Sequence, residues 1–578
     1  MRMLARIALA ALGLLAAGAV AIALWLPRYV ASPDFAARLR AGAREISGRD
    51  VEWRELSVGI VPLRLIASGV RISGSDAGPP ALEAEHVDLR LALLPLLART
   101  VAIDSLALDG AALRIVRSKA GVDWGGPPEP SAGGHGGGGP ESGGLALAVR
   151  NLRVASSRVS FEDRSVAPPA SLELLDVAAK LRGAGAGPVA VDLSGRLAGG
   201  GELRADGSLA PTGSGSLTLT LRGVAVAQLA PWLGKNVQLT GGSADGTLRA
   251  GGPLRAPDQL EADLKLDGAD LRVAEVGLRG PVAAHALLAA QTGAAGGYGG
   301  HFEIDATRAE LVYGGAFRKP PGASATADGK LVTQPDGKLG VDAVKLSIKN
   351  MDGQGSLAPG GPSLVLEDPA SLDADLEGLL ANPQRPLAGA RGRVAFAAGR
   401  GRIPGVSPLQ RALASLGDTG GLAQSLLSDH HKLQRFESDA FESLRGSFEL
   451  REGRAHTEDL AVQYPGYALG LRGSIGLVDE GLDLAGSLTL GEDAGQALAP
   501  GMSGASRTFS LARIGGTVSD PSIEIEPEAA AALAAGIALG KRGKLERKID
   551  KHLGDGAGRQ VLDALGGLLR GPAGKERE

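Results

Sequence analysis

Residues 217–221 read Leu-Thr-Leu-Thr-Leu, and residues 262–266 read Ala-Asp-Leu-Lys-Leu. Successive side chains of an extended chain point to opposite faces, so Leu217, Leu219 and Leu221 share one face and Thr218 and Thr220 the other. Leu264 and Leu266 stand apart from Asp263 and Lys265 in the same way. This period of two begins at Val51-Glu52-Trp53-Arg54 and recurs in Leu82-Glu83-Ala84-Glu85 and Val101-Ala102-Ile103-Asp104. Such runs are short strands with one apolar and one polar face. Between them, Ser194-Gly195, Asp206-Gly207, Asp245-Gly246 and Asp267-Gly268 read as hairpin turns, because Asp-Gly supplies the positive φ that tight turns need. Crossover helices are missing, which excludes a βαβ fold and leaves an antiparallel meander, barrel or stacked open sheet.

Composition agrees with many small strands. Glycine is abundant at 88, while Phe, Tyr and Trp number only 9, 5 and 4, so buried area must come from Leu, Val, Ile and Ala. About 450 residues in strand-plus-turn units would give on the order of 35–40 strands, and a single stacked sheet of them would extend beyond roughly 100 Å. The net charge of −3 offers no basic footprint for nucleic acid. Cysteine is absent, which rules out disulfides, thiolate metal sites and Cys nucleophiles.

Residues 7–26 form an uncharged run, from Ile7 to Leu26, behind a head carrying Arg2 and Arg6. At about 1.5 Å per residue it reaches roughly 30 Å, the hydrocarbon thickness of a bilayer. Trp25 and Tyr29 stand at its far end, where amphipathic rings favour the headgroup level. The expectation is a retained single-pass anchor. A cleaved signal peptide, cut near Ala19-Val20-Ala21 or Ala21-Ile22-Ala23, is the competing reading, and the run is longer than an h-region of about 7–15 residues.

The rest divides into a β region over 27–120, a Gly/Pro-rich linker over 121–144, a middle β region over 145–400, a helical insertion over 401–440, a last β region over 441–526 and a helical tail over 527–578. A short helix is expected from Ser32-Pro33 to Gly48, since Ser favours the N-cap and Pro the first turn. The basic stretch Lys541-Arg542-Gly543-Lys544 in the tail reads either as contact with anionic headgroups or as a solvated helix face.

No residues assemble for catalysis. His430 and His431 adjoin, but neighbours on a helix diverge by about 100° and seldom share a metal. Gly536 to Lys541 has three residues between its glycines where a phosphate loop has four, and Arg542 stands where Ser or Thr belongs. Ser503, in Gly501-Met502-Ser503-Gly504, falls one residue short of a nucleophile elbow. The reading is therefore a protein that is not an enzyme and carries no metal or cofactor.

Motif punctuation at both ends resembles the AsmA family. Phe441-Glu442-Ser443-Leu444-Arg445-Gly446-Ser447-Phe448, Gly470-Leu471-Arg472-Gly473-Ser474-Ile475 and Arg513-Ile514-Gly515-Gly516-Thr517-Val518-Ser519-Asp520-Pro521 are similar to its closing domain. At the front, Ile46-Ser47-Gly48-Arg49, Leu93-Leu94-Pro95-Leu96-Leu97 and Gly121-Val122-Asp123-Trp124 fit, with Asp123 where the family often has Asn. The resemblance implies an inner-membrane protein with its bulk in the periplasm of a double-membraned bacterium. It further implies a long β-sheet whose apolar groove carries phospholipid toward the outer membrane. An older description of the family is assembly of outer-membrane proteins.

Two functional classes follow. In the first, acyl chains lie on the apolar face, with Leu217, Leu219, Leu221, Leu264 and Leu266 as candidate groove residues. The partners are then the inner membrane, phospholipid acyl chains and outer-membrane components. In the second, exposed strand edges hold unfolded barrel chains by strand addition, without lipid transport. The alternation itself suits an open groove and a closed sandwich core equally.

Overall fold

A computed structural model describes residues 49–59, 64–74, 79–91, 102–118, 121–123, 148–183, 187–210, 212–232, 237–253, 256–273, 276–291, 297–314, 317–334, 339–356, 363–379, 386–404, 438–493, 507–517 and 521–525, with isolated positions 37, 40, 41, 44, 407, 550 and 559. The chain is mainly β, built on a large, almost wholly antiparallel sheet. It divides into two compact units, residues 1–273 with 283–290, and residues 274–282 with 291–578. The division falls inside the stretch that the sequence presents as one middle β region.

In the first unit, β1 (Val51–Glu52) and β2 (Glu55–Gly59) lie end to end along β3 (Arg64–Ile72), followed by β4 (Leu82–Leu91) and β5 (Ala102–Ser118). β6 (Gly121–Asp123) folds back on the end of β5, so the expected linker opens with a strand. Then come β7 (Ala148–Asp163), β8 (Ala170–Arg182), β9 (Val189–Leu197), β10 (Glu202–Leu209) and β11 (Ser214–Ala225), each paired with the one before except β7, which pairs with β5. A 3₁₀ helix, Val226–Trp232, leads to β12 (Val237–Thr240) and β13 (Ser243–Pro253), which share one register along β14 (Gln259–Val273). β13 also pairs with β11.

One pair departs from the expected antiparallel order: β5 and β7 run parallel over residues 102–117 and 148–163. A parallel step needs a crossover of a dozen or more residues. The chain between β6 and β7 has that length, so the Gly/Pro-rich stretch joins two neighbouring strands of one sheet. Residues 124–147 themselves lie outside the described residues.

The dipeptides read as turns are a second correction. Ser194-Gly195 lies within β9, Asp206-Gly207 within β10, Asp245-Gly246 within β13 and Asp267-Gly268 within β14. Crowding, rather than a turn, requires two of these glycines. A Cβ on Gly207 would stand 2.1 Å from the Ser216 carbonyl oxygen, and one on Gly246 equally close to that of Asp263.

A line of bulges crosses β3 to β8. Gly69, Gly110, Ser156 and Asp176 take positive φ at neighbouring levels, and the β7–β8 and β8–β9 registers shift there. Each strand gains one residue at this line, so its apolar set changes parity: Leu65 and Ala67 give way to Val70 and Ile72, Leu106 and Leu108 to Ala111 and Leu113, and Leu152 and Val154 to Val159 and Phe161, past the buried Ser157, whose hydroxyl accepts from the Ala111 amide. The same face stays apolar through the bend that bulges impose.

The second unit begins in β15 (Val276–Gln291), whose residues 276–279 pair with β17 (Glu310–Tyr313). β16 (Gly297–Asp305) pairs with β19 (Ala325–Thr333), and β18 (Phe317–Lys319) and β19 both pair with β20 (Leu339–Ser356). β21 (Ser363–Leu366), β24 (Gly401–Arg402) and β25 (Ala440–Phe441) form a short side ladder. The main ladder continues from β20 through β22 (Ala370–Glu377), β23 (Arg391–Ala398), β26 (Ser443–Arg451), β27 (Arg454–Tyr464), β28 (Tyr467–Gly476), β29 (Leu482–Leu490) and β30 (Arg507–Gly516) to β31 (Pro521–Ile525). Its last strands enclose a core in which Leu488 is 0% exposed and Tyr464 and Tyr467, 1% each, stack at 4.8 Å.

Among the described residues no helix is long and apolar enough to cross a membrane. The run at 7–26 with Trp25 and Tyr29 lies outside the described residues, as do the helical insertion apart from its ends and Ser407, and the tail apart from Asp550 and Arg559. Ala37, Arg40, Ala41 and Arg44 are helical, at positions of the short helix expected before Gly48.

A protease site inserted between Gly136 and Gly137 tests the parallel pair. After cleavage the two fragments should elute together in native buffer and separate only in denaturant, and fragments that part in native buffer would refute the pairing. Gly110→Val should cost about 1–2 kcal/mol in urea unfolding, because φ is +63° and a Cβ would lie 2.7 Å from Glu85 Oε2. Gly277→Ala, with no contact nearer than 3.9 Å, should stay within about 0.5 kcal/mol.

Candidate functional site in the first unit

The register of the first unit brings separate alternations into common rows. One row passes from Leu56 to Ala67, Val87, Leu108, Val154 and Ala179, and on through Leu193, Ala205, Leu219 and Leu248 to Ala262. The next runs Val58, Leu65, Leu89, Leu106, Leu152, Leu181, Val191, Gly207, Leu217, Ala250, Leu260. Neither row is interrupted by a charge over eleven strands, roughly 48 Å at about 4.8 Å per strand.

The row between them faces the other way and includes Asp88, Arg153, Lys180, Asp192, Asp206, Arg249 and Glu261. Its ion pairs are exposed, such as Arg204–Asp192 at 3.9 Å and Arg249–Glu261 at 3.0 Å. Pairs of this kind contribute little to stability.

The apolar rows are half-buried. Only Ala67, Ala179 and Ala205 fall below a tenth exposed, at 8%, 7% and 8%, while every leucine and valine of both rows keeps part of its surface accessible. In the last strands of the second unit, by contrast, Leu484, Leu488 and Leu490 are 6%, 0% and 5% exposed.

Of the residues singled out in the sequence, Leu217 and Leu219 lie in the two rows, and Leu221 continues their face one step along β11 beside Leu203 and Gly246. Leu264 sits opposite Gly246 on that face. Leu266 differs, packing against the closed cluster of Val226, Leu239, Ala244 and Ala269.

Three polar sites were not legible in the sequence. Asp163, 0% exposed, accepts hydrogen bonds from the Ser165 hydroxyl (2.6 Å) and amide (2.9 Å) and from Trp232 Nε1 (3.0 Å), with Arg117 at 3.7 Å. These, the Ser165 hydroxyl foremost, hold its carboxyl below the usual range. Lys319, 1% exposed, donates to the carbonyls of Ala306, Thr307 and Ala309 at 2.8, 2.9 and 2.5 Å, and burial lowers its pKa. Arg49 reaches Asp123 Oδ1 at 2.5 Å and the Ser73 carbonyl at 3.2 Å, joining two of the motifs noted at the front of the chain.

Metal chemistry has one candidate among the described residues. Ligand atoms of Glu261, Asp263 and His285 lie within 4.8 Å of one another. Arg249, 3.0 Å from Glu261 and 3.6 Å from Asp263, already places a cation there. A cavity of about 920 Å³ in the second unit is lined by Arg391, Arg393, Glu449, His456 and Asp459, with Asp459 held by the Ser447 amide at 2.7 Å. The Ser447 hydroxyl, also in the lining, donates to Asp459 Oδ2 at 2.9 Å.

In comparisons with known proteins, no protein-family model, curated protein or solved structure matches the chain.

Because the carboxyl of Asp163 titrates below its unfolded value, it stabilises the fold above about pH 4, and that contribution is lost as pH falls through the depressed value. Asp163→Asn should lower the urea midpoint at pH 7, with the gap to the parent narrowing below about pH 4. A gap independent of pH would show that the carboxylate charge is immaterial.

Proposed function

We propose that this chain is an inner-membrane-anchored, AsmA-like periplasmic protein that supports outer-membrane biogenesis by carrying phospholipid, its acyl chains lying on the apolar rows of the first unit. The observation that carries the reading is the pair of rows from Leu56 and Val58 to Ala262 and Leu260, unbroken over eleven strands and half accessible, backed by a charged face. Each CH₂ removed from water gains about 0.8 kcal/mol, so a long apolar strip can offset much of the cost of drawing a two-chain lipid from a bilayer. No single residue has to bind tightly. That fits a site made of Leu, Val and Ala with few polar anchors. Charged residues on the opposite face keep water on that side and direct the lipid to one surface.

Lipid extracted from the purified full-length chain and measured by mass spectrometry tests the reading. Phospholipid should co-purify in at least molar amount. Leu219 lies between Ala205 and Leu248, half-buried, so Leu219→Asp can still reach water when the strip is empty but sets a charge among acyl chains. It should cut bound lipid about tenfold with the melting temperature nearly kept. Thr220→Asp, opposite Arg204 on the charged face, should change neither. A lipid-free parent, or one that retains unfolded barrel chains instead, would refute lipid carriage. So would a Leu219→Asp variant that simply unfolds, as a closed core would.

A further inference from the structure

The charged face of the first unit is not uniform. The row one residue beyond the second apolar row runs from Gly59 through Arg64, Arg90, Ser105, Asn151 and Arg182, and then on without a charge to Gln259. It holds three cations and no carboxylate, whereas the row inside it mixes Asp192, Asp206 and Glu261 with Lys180 and Arg249. Arg64 and Arg90 stand directly opposite each other across β3 and β4, an arrangement that repels. All three arginines are exposed. Among the described residues Arg64 and Arg182 pair with no carboxylate, and Arg90 approaches Asp88 only to 3.9 Å. Beside the row, Asp104 is matched by Arg150 at 4.0 Å. From Arg64 to Arg182 is four ladder steps, roughly 19 Å at about 4.8 Å per strand. Beyond the first apolar row, by contrast, the sheet is shut between β4 and β8: Ala84, Ala111, Ser157 and Val177 are 3%, 5%, 4% and 3% exposed. The arginines border the strip on its other side.

We infer that this arginine row is a docking edge for an anionic phospholipid bilayer, the surface with which the strip exchanges its lipid; this rests on the lipid-carrier reading above. A guanidinium presents a planar fork of N–H donors that matches a phosphate, and these three have no carboxylate close enough to hold them. Repulsion between Arg64 and Arg90 is relieved when a negative surface lies against both. The whole chain carries a net charge of −3, so the attraction belongs to this edge and not to the molecule at large. What favours a bilayer over a soluble polyanion is the neighbouring row. Leu65, Leu89 and Leu181 follow Arg64, Arg90 and Arg182 by one residue, a step of about 3.3 Å. A lipid has both a phosphate for the arginines and acyl chains for the leucines. An acidic peptide or a nucleic acid has no use for the second.

The experiment holds the full-length chain in phosphatidylcholine nanodiscs and measures its partition onto sucrose-loaded vesicles, either of phosphatidylcholine alone or with phosphatidylglycerol as about a third of the lipid. The parent should favour the anionic vesicles by about a hundredfold, on the order of fivefold for each arginine, and lose that preference when salt rises from about 0.05 M to about 0.5 M. Arg64→Gln, Arg90→Gln and Arg182→Gln combined should bring the preference close to unity. Arg153→Gln, Lys180→Gln and Arg249→Gln combined remove the same charge from the mixed row and should keep most of it. Arg64→Gln alone relieves a repulsion, so it should fold as the parent does and weaken the partition about fivefold, which keeps the test sound if the triple variant fails to fold. A parent that takes both vesicles equally, or a mixed-row variant that loses as much as the arginine-row variant, overturns the docking edge. So does a parent that passes over the vesicles and is held by double-stranded DNA on beads. Phospholipid that co-purifies with a parent indifferent to the vesicles overturns this inference alone, whereas a parent without bound lipid overturns the carrier reading.

Discussion

A β-strand has only two faces, and one inserted residue exchanges them. Everything in the first unit depends on that parity being kept in step between neighbours. Where Gly110 adds a residue to β5, Ser156 adds one to β7 and Asp176 one to β8, so the switch from Leu108 to Ala111 is met by Val154 to Ser157 and by Val177 to Leu174. Beyond β8 the insertion stops, and a one-residue shift of register takes its place: in β9 Leu193 still lies opposite Ala179 and Leu197 opposite Leu174. Made together, the insertions bend the sheet without mixing its faces.

Among the described residues the two buried charged side chains, Asp163 and Lys319, stand where strands end. In the turn after β16 the carbonyls of Ala306 and Thr307 accept from the amides of Ala309 and Gly322, and the Lys319 ammonium donates a further bond to each and one to the Ala309 carbonyl. Asp163 does the converse at the end of β7, gathering the Ser165 amide and the Trp232 N–H. Exposed ion pairs on the other face contribute little to stability, but a charged surface resists stacking on a second sheet.

Strand identity was written in the sequence wherever polar and apolar residues alternate, as at Leu217-Thr218-Leu219-Thr220-Leu221. What alternation cannot encode is which strand comes next. The parallel step from β5 to β7 depends on a long-range pairing, and nothing local at Leu106 announces Leu152 as its neighbour. The Asp-Gly pairs misled for a related reason: glycine serves tight turns and close backbone approaches alike, and only the partner strand at Ser216 shows that Gly207 answers to the second need. Leu217 and Leu219 could be picked out early because their own strand carries the signal. Trp232 could not, since its partners Phe161 and Asp163 lie about seventy positions away on another strand.

Apart from the step between β5 and β7, the main ladders of the first unit link strands that follow one another closely in the chain. Such an array can lengthen during evolution by copying a hairpin, which lengthens the ladder by about 9.6 Å and must match only the two strands it separates. Descendants would then differ in strand number while sharing terminal motifs, and their middles would lose recognisable kinship long before their architecture did. The parallel step is the exception. A hairpin copied there would have to satisfy one neighbour running with it and another running against it, which makes that junction the part of the array least free to drift.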